Sequence, residues 1–149
     1  MCGIFAYISK DKIDEYKYKD LVKEGLKCQY RGPDNTKYRM ENDYIFLQFH
    51  RLCINDLSSS GDQPLTHPDD FNIVLICNGE IYNHMNLADK FNIKTKSKSD
   101  CEIILHLYKK IGFEQTIKEL DGVFACVLVD LTEKIVYAAR DRLGVRSMY

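Results

Sequence analysis

The sequence has no long hydrophobic run and no excess of charge of one sign, and each absence excludes a class of function. The longest apolar stretches, such as residues 123–129, are far too short to span a bilayer. The 149 residues include 21 basic and 22 acidic side chains, which gives a net charge of −1. This balance gives no electrostatic case for nucleic acid or an anionic membrane, since either partner would favour a basic face or tail. We therefore expect neither nucleic acid nor a membrane as a partner.

The start of the sequence shows no secretion-signal pattern, and the cysteines form no paired motif. No basic stretch followed by a long apolar region opens the chain, so we expect no signal peptide and a cytoplasmic protein. The six cysteines are spread along the chain without a CxxC pair, and the four histidines match no zinc spacing. A chain of this length can build a core without disulfide bonds. We therefore expect reduced cysteines and no metal site.

What is present is a mixture of strand-like and helical patterns in one domain, residues 1–149. Apolar spacing and turn residues predict strands at residues 3–9, 44–50, 51–57, 72–77, 122–130 and 134–140. They predict helices at about residues 14–30, 83–91, 99–111 and 114–120. This order favours a layered α+β fold over a regular βαβ alternation.

Four local signals mark the ends of these predicted elements. Asn78-Gly79 is a turn signal after the apolar run at residues 72–77. Asn83 is a candidate cap of the helix that follows it. Ser99 and Glu102 have the spacing of a capping box, which predicts the start of the next helix. Gly112 is placed to end that helix.

Cys2 stands directly behind the initiator methionine, and two interpretations of this position are open. If Met1 is removed, Cys2 carries both a thiol and a free α-amine, whose ordinary pKa of about 7.7–8.0 suits proton transfer near neutral pH. Alternatively, Cys2 is only a small, semi-apolar residue at the start of a strand. The position alone does not decide between them.

Eight short motifs in register carry a family resemblance over the whole chain. They are MCGI at 1–4, RGPD at 31–34, HRLCINDL at 50–57, DQPL at 62–65, NGEIYNH at 78–84, SDCEIIL at 99–105, LDGVFA at 120–125 and ARDRLGVR at 139–146. In this order the chain resembles the class II glutamine amidotransferase domain, whose nucleophile is an N-terminal cysteine. The version is most similar to the domain that begins glutamine-hydrolysing asparagine synthetases.

The resemblance implies a fold and a chemistry. The fold is the four-layer α-β-β-α sandwich of N-terminal-nucleophile hydrolases. The activity is hydrolysis of L-glutamine to L-glutamate and ammonia through a thioester on Cys2, with no cofactor. Asn78, through its side-chain amide, and Gly79, through its backbone N–H, are implied as the oxyanion hole.

The resemblance also implies how glutamine is held. Arg51 is implied for the α-carboxylate, since a guanidinium binds a carboxylate through two parallel hydrogen bonds. Asp100, supported by Glu80, is implied for the α-ammonium. The remaining pocket residues are Leu52, Cys53, Ile54 and Asn55, together with Asn78 and Gly79.

Other motif residues receive a structural interpretation. We expect Arg31, Gly32, Pro33 and Asp34 to shape a loop near the site. We expect Arg140, Asp141 and Arg142 to form ion pairs or to face a partner. His50 adjoins the site in sequence, but a cysteine with its own amine needs no histidine base, so we do not expect it to be catalytic.

The chain departs from the family in two ways. It reads GVRSMY where the family usually has a proline and an aliphatic residue before the tyrosine. It is also expected to be C-terminally truncated relative to the family, without the synthetase (ATP-pyrophosphatase) domain, where ATP and Mg would act. A sheet edge left exposed predicts either a homo-oligomer or a synthetase domain or chain that covers it and receives the ammonia.

Three functional hypotheses follow. The first is a glutaminase that supplies ammonia for asparagine synthesis from aspartate and ATP. The second is a non-catalytic fragment or subunit that keeps the fold and binds a synthetase partner. The third is an N-terminal-nucleophile amidase for another substrate. Arg51 with Asp100 argues against the third, because opposite charges suit a free amino acid.

Overall fold

The computed structural model describes residues 1–54 and 58–149, and the described residues form seven strands and four α-helices. In chain order they are β1 (Gly3–Ile8), α1 (Glu15–Leu26), β2 (Asn35–Glu41), β3 (Ile45–Arg51), β4 (Leu65–His67), β5 (Asp70–Ile81), α2 (His84–Phe91), α3 (Glu102–Ile111), α4 (Phe113–Glu119), β6 (Gly122–Asp130) and β7 (Ile135–Arg140). No helix in this described part of the chain has the length and apolar character needed to cross a membrane.

The strands form two antiparallel sheets that pack face to face. One sheet has the order β1-β3-β2, and the other has the order β4-β5-β6-β7. Apolar side chains of β3, β5 and β6 meet between the sheets and form an inner layer, which contains Leu47, Phe49, Val74, Ile76, Val127 and Val129. Alternate residues of β5 point to opposite faces, so its other apolar residues face away from this layer.

Helices cover the outer faces of both sheets. On the three-stranded sheet, Leu21 of α1 packs with Ile13 and Phe46. On the four-stranded sheet, α2, α3 and α4 bury a larger cluster that includes Leu75, Ile104 and the rest of the apolar face of β5. The predicted four-layer α-β-β-α sandwich is confirmed.

Three strand predictions differ from the structure. The prediction missed β2, whose sequence NTKYRME alternates weakly and carries charge because β2 is an edge strand. It also missed β4, which has only three residues. A strand was predicted at residues 51–57, but β3 ends at Arg51 and residues 52–54 are not in a strand. Residues 55–57 lie outside the described part of the chain.

The predicted turn at Asn78-Gly79 is wrong, because β5 runs through it to Ile81. In β5, Asn78 pairs with Ala125 and Gly79 pairs with Phe124 of β6. A Cβ atom on Gly79 would lie 2.5 Å from the carbonyl oxygen of Val123. The glycine therefore permits close contact between two strands instead of a reversal of the chain.

Two helix predictions also need correction. The helix predicted at residues 14–30 ends at Leu26, and a 3₁₀ turn, Gln29–Arg31, follows it and leaves Tyr30 79% exposed. Asn83 does precede α2, but its side chain does not cap that helix. Instead its amide donates to the Glu119 carbonyl at 2.9 Å and accepts from the Asp121 amide at 3.0 Å. Asn83 therefore joins α2 to the connection between α4 and β6.

Candidate active site

A cavity of about 90 Å³ opens where β1 begins, β3 ends and β5 passes. Most of the residues that the family resemblance implies for the site line this cavity: Cys2, Arg51, Leu52, Ile54, Asn78, Gly79, Glu80 and Asp100. These residues come from four separated segments of the chain. The fold therefore brings the predicted nucleophile, the predicted oxyanion hole and both predicted charged contacts to one cavity.

The sheet register places Cys2 beside the end of β3. Gly3 pairs with His50, so the residue before β1 lies next to the residues that follow β3. The backbone N–H of Leu52 donates to the Cys2 Sγ at 3.4 Å. Burial raises the pKa of the Cys2 thiol, and the hydrogen bond from Leu52 opposes this only in part. The thiol is therefore protonated near neutral pH.

Met1 lines the same cavity as Cys2. Its sulfur accepts a hydrogen bond from Nη1 of Arg146 at 2.6 Å, and Arg31 binds the carbonyl of Cys2 through Nε at 3.2 Å. The Asp141 carboxylate accepts the backbone N–H of Arg146 at 3.0 Å, and its expected contact with a partner stays a prediction. Two arginines thus fix the chain at the position where the first residue joins the second.

Asn78 and Gly79 lie side by side on β5 but present different groups. The Asn78 side chain lies on the face between the sheets, as do Val74 and Ile76, and it is buried. Within residues 1–54 and 58–149, no other group hydrogen-bonds the Asn78 side-chain amide. Gly79 lines the cavity with its backbone. The pair therefore offers one side-chain donor and one backbone donor to the same space.

Arg51 is buried at the end of β3 and is held in place by Asp62. Nη1 of Arg51 donates to an Asp62 oxygen at 2.5 Å and to the Ser58 carbonyl at 2.7 Å. Burial acts to raise the pKa of Asp62, but bonds from Lys37 and Arg51 outweigh it and keep that pKa below its ordinary value. Asp62 therefore remains ionised and orients the guanidinium toward the cavity.

Asp100 is buried and lines the same cavity as Arg51. One of its carboxylate oxygens accepts the backbone N–H of Ile81, at the end of β5, at 2.6 Å. Glu80 also lines the cavity, but its side chain is exposed. Asp100 thus has a structural bond to β5 as well as a place in the site.

Two of the predicted pocket residues lack a described contact with the cavity. Cys53 does not line it in the described part of the chain, and the Cys53 backbone N–H instead donates to Asp34 at 2.7 Å. That contact agrees with the loop-shaping role expected for residues 31–34. Asn55 lies outside the described residues. His50, which we did not expect to be catalytic, is buried away from the cavity and contacts Thr36 and Gly25.

The structure adds residues that the sequence did not single out. Gln63, Cys77, Cys101 and Arg146 all line the cavity. Gln63 lies in the DQPL motif, which the sequence analysis identified, but the motif did not predict a role for the Gln63 side chain. Contact with the Cys101 thiol, together with burial, raises the pKa of the Cys77 thiol well above its usual range. We expect Cys77 to be unreactive toward alkylating reagents for that reason.

The predicted capping box of Ser99 and Glu102 is wrong. Helix α3 begins only at Glu102, and its side chain turns back to the preceding loop. There the carboxylate accepts the backbone N–H groups of Lys96 and Ser97 at 2.8 and 2.7 Å, and the ring of His106 at 3.1 Å. Burial acts to raise the pKa of Glu102, but the bonds from His106 and Ser97 outweigh it and lower the pKa to about 2. Glu102 thereby holds the loop that carries Asp100 into the cavity.

Replacing Glu102 with glutamine is expected to lower the free energy of unfolding at pH 7 by about 1–3 kcal/mol. The folded-state pKa of about 2 lies below the ordinary 4.5, so the carboxylate stabilises the fold above pH 4.5 and loses this effect as the pH falls toward 2. Urea unfolding at pH 7 and pH 3 measures this. The matched control is Glu114→Gln, whose side chain is 86% exposed in a surface pair with Lys118 and contributes little. If Glu102→Gln lowers the free energy of unfolding by the same amount at pH 7 and at pH 3, the assignment is contradicted.

Comparison with known sequences places the chain among amidotransferases. The family described as "Glutamine amidotransferase domain" matches residues 1–149. A probable asparagine synthetase (glutamine-hydrolyzing) from Acanthamoeba polyphaga mimivirus is 44% identical over 154 residues, which is 100% of this chain and 27% of that protein. The human asparagine synthetase (glutamine-hydrolyzing) is 42% identical over 151 residues, covering 100% of this chain and 26% of its own length. The chain therefore spans about a quarter of the length of these curated relatives.

Proposed function

The chain belongs to the glutamine amidotransferase domain family, and from that premise we propose that it hydrolyses the side-chain amide of L-glutamine with Cys2 as nucleophile. The observation that carries this proposal is the single cavity shared by Cys2, the Asn78-Gly79 pair and the oppositely charged Arg51 and Asp100. An amide is a poor electrophile, so its hydrolysis needs a strong nucleophile, a proton carrier and donors for the oxyanion. The cavity offers groups suited to each of these needs.

Cys2 would supply both the nucleophile and the proton carrier. After removal of Met1, the sulfur attacks the amide carbon while the α-amine of Cys2 takes the thiol proton. The amine returns this proton to the leaving nitrogen, the carbon–nitrogen bond breaks, and ammonia and a γ-glutamyl thioester result. Water then cleaves the thioester to glutamate and restores the thiol.

Asn78 and Gly79 would stabilise the tetrahedral intermediate. The negative charge that develops on the amide oxygen needs donors that are already oriented before the reaction. The Asn78 amide lies on the inner face of β5, and Cys2 packs against the same inner layer. The Gly79 backbone lines the cavity from the adjacent position. These two placements support the proposed oxyanion hole.

Arg51 and Asp100 would select a free amino acid. A glutamine molecule carries an α-carboxylate and an α-ammonium in addition to the reacting amide, and the cavity lining provides one buried cation and one buried anion. The pairing with Asp62 fixes the Arg51 guanidinium, which reduces the entropy lost when substrate binds. Glu80 would support Asp100 from the rim of the cavity.

Replacing Arg51 with lysine is expected to raise KM for glutamine about tenfold or more, with a smaller change in kcat. Lysine keeps the charge but cannot form two parallel hydrogen bonds with a carboxylate. Steady-state kinetics on the purified variant measure the effect. The matched control is Arg39→Lys on β2, where the guanidinium pairs with Glu41 and Thr66 away from the cavity. Equal kinetic changes in both variants contradict the role of Arg51.

The ammonia released would serve a synthetase. The relatives are named as glutamine-hydrolyzing asparagine synthetases, and the chain matches about a quarter of their length. We therefore propose that the ammonia reaches a synthetase domain or chain that forms asparagine from aspartate and ATP.

Glutamate release from purified chain tests the proposed activity. We expect turnover of L-glutamine, and much slower turnover of amides that lack either the α-carboxylate or the α-ammonium. Equal rates with such amides would favour an amidase of different specificity. No glutamate release from a chain whose intact mass shows that Met1 is absent would contradict the enzyme and favour a non-catalytic subunit.

A further inference from the structure

The edge of β5 beside the cavity is bonded at some residues and open at others. In an antiparallel strand, the backbone groups of alternate residues point to the same edge. The N–H of Ile81 bonds to Asp100 on the β4 side, whereas the N–H of Tyr82 bonds to Asp121 on the β6 side. The odd-numbered residues in this part of β5, including Gly79, therefore point toward the β4 side.

Strand β4 does not reach this part of the edge. Its first residue, Leu65, pairs with Leu75, so β5 continues past the end of β4 by several residues. On the opposite side, the N–H and C=O of Phe124 bond to Asp141 and leave no bond for Gly79 from that neighbour. The Gly79 N–H thus points to the stretch of edge that β4 leaves open, which is the cavity.

Gln63 replaces the missing strand at one position only. Its Nε2 donates to the Cys77 carbonyl at 3.0 Å, and its Oε1 accepts the Cys77 N–H at 2.6 Å. A primary amide in this orientation makes the two bonds that a neighbouring strand would make. The Gln63 side chain is buried, with 5% of the residue exposed, and it lines the cavity itself.

We propose that Gln63 is a positioning residue for the oxyanion hole. It fixes the backbone of Cys77, directly before Asn78 and Gly79, and because it is a side chain it covers no further backbone group. Asp100 fixes the edge again at Ile81, two residues beyond Gly79. The edge of β5 is thus held at Cys77 and at Ile81, on either side of Gly79. The Gly79 N–H between them is left facing the cavity. This inference rests on the proposed function, since it concerns the donors that the reaction would use.

Kinetics with Gln63→Met and Gln63→Glu test the proposal. We expect kcat for glutamine to fall about 10- to 100-fold in Gln63→Met, with KM changed less than about threefold, because the donors act on the transition state. The affinity for the γ-aldehyde of glutamate, which forms a tetrahedral adduct with a cysteine, is expected to fall by a similar factor. The matched control is Gln48→Met, another buried glutamine, which contacts His50 and not the cavity.

The pH dependence of kcat in Gln63→Glu distinguishes the proposed role from a merely structural one. A carboxylate accepts the Cys77 N–H but has no proton to donate to the Cys77 carbonyl, whereas a protonated carboxyl does both. We therefore expect the loss of kcat in Gln63→Glu, relative to the unmodified chain, to shrink as the pH is lowered. Loss of kcat that does not depend on pH, or unchanged aldehyde affinity in Gln63→Met, would overturn the proposal.

Amide hydrogen exchange separates this proposal from the proposed function. In the unmodified chain we expect the Cys77 N–H to be protected, and we expect its exchange in Gln63→Met to rise at least about tenfold while exchange at Val74 in the same strand stays constant. Unchanged exchange at Cys77 would overturn the positioning role of Gln63 whatever the activity. Absence of glutamine turnover in the unmodified chain would instead overturn the proposed function.

Discussion

Replacing Cys2 with alanine is expected to reduce glutamine hydrolysis by about 10⁴-fold or more, because it removes the only proposed nucleophile. Glutamate release by the purified variant measures this loss. The matched control is Cys28→Ala, since Cys28 is a half-buried cysteine whose thiol bonds to the carbonyl of Gly25. A Cys2→Ala variant that keeps even a tenth of the rate would remove Cys2 from the mechanism.

A chain that keeps Met1 is expected to lose activity to a similar degree. Met1 lines the cavity and is bound by Arg146, so it occupies space beside the thiol. A peptide bond at Cys2 also removes the basic amine that the proposed mechanism needs. An N-terminal extension that resists cleavage, checked by intact mass, provides this variant. Full turnover with the extension in place would show that the amine of Cys2 is dispensable.

Replacing Asn78 with alanine is expected to lower kcat by about 10²- to 10³-fold with little change in KM. This is the usual cost of one oxyanion-hole donor, which acts on the transition state more than on bound substrate. The matched control is Asn72→Ala, an exposed asparagine near the start of the same strand. A change confined to KM would show that Asn78 binds the substrate without stabilising the oxyanion.

Asn78→Asp tests the electrostatic part of the same prediction. Aspartate has nearly the same shape as asparagine but places negative charge where the oxyanion forms. We therefore expect a loss of kcat at least as large as in the alanine variant. A smaller loss would indicate that the side chain only fills space.

The chemistry of the site was easier to predict than its geometry. The motifs around Cys2, Arg51, Asn78 and Asp100 identified these residues, and the fold brings all four to one cavity. The layered fold followed from the order of the strong apolar runs. Each motif and each apolar run is a local pattern, and their order along the chain can be read without knowing which strands pair.

What the sequence did not predict depends on long-range pairing. Asn78-Gly79 has the local signature of a turn, but pairing with β6 keeps the segment extended. Glu102 has the spacing of a capping box, but the loop at Lys96 and Ser97 competes for its carboxylate. In both cases tertiary contacts override a local preference.

The role of Gln63 could not be read from the DQPL motif for the same reason. Its two hydrogen bonds join residues 14 positions apart. They matter because β4 does not extend alongside Cys77, so no strand in the described part of the chain pairs with Cys77 on that edge. The length of a strand and the position of its neighbour's end are set by the assembled sheet. The motif identifies Gln63 as a family position, but only the assembled sheet shows that its side chain binds the backbone of Cys77.

Mass analysis of the N-terminal peptide, after the chain is mixed with glutamine and quenched in acid within the first turnover, tests the central claim most directly. The account predicts a peptide that begins at Cys2 and carries a γ-glutamyl group, which hydroxylamine removes as it does other thioesters. The same adduct is expected to be absent from Cys2→Ala. Ammonia release without this adduct, or an adduct on another residue, would contradict the proposal that Cys2 is the nucleophile.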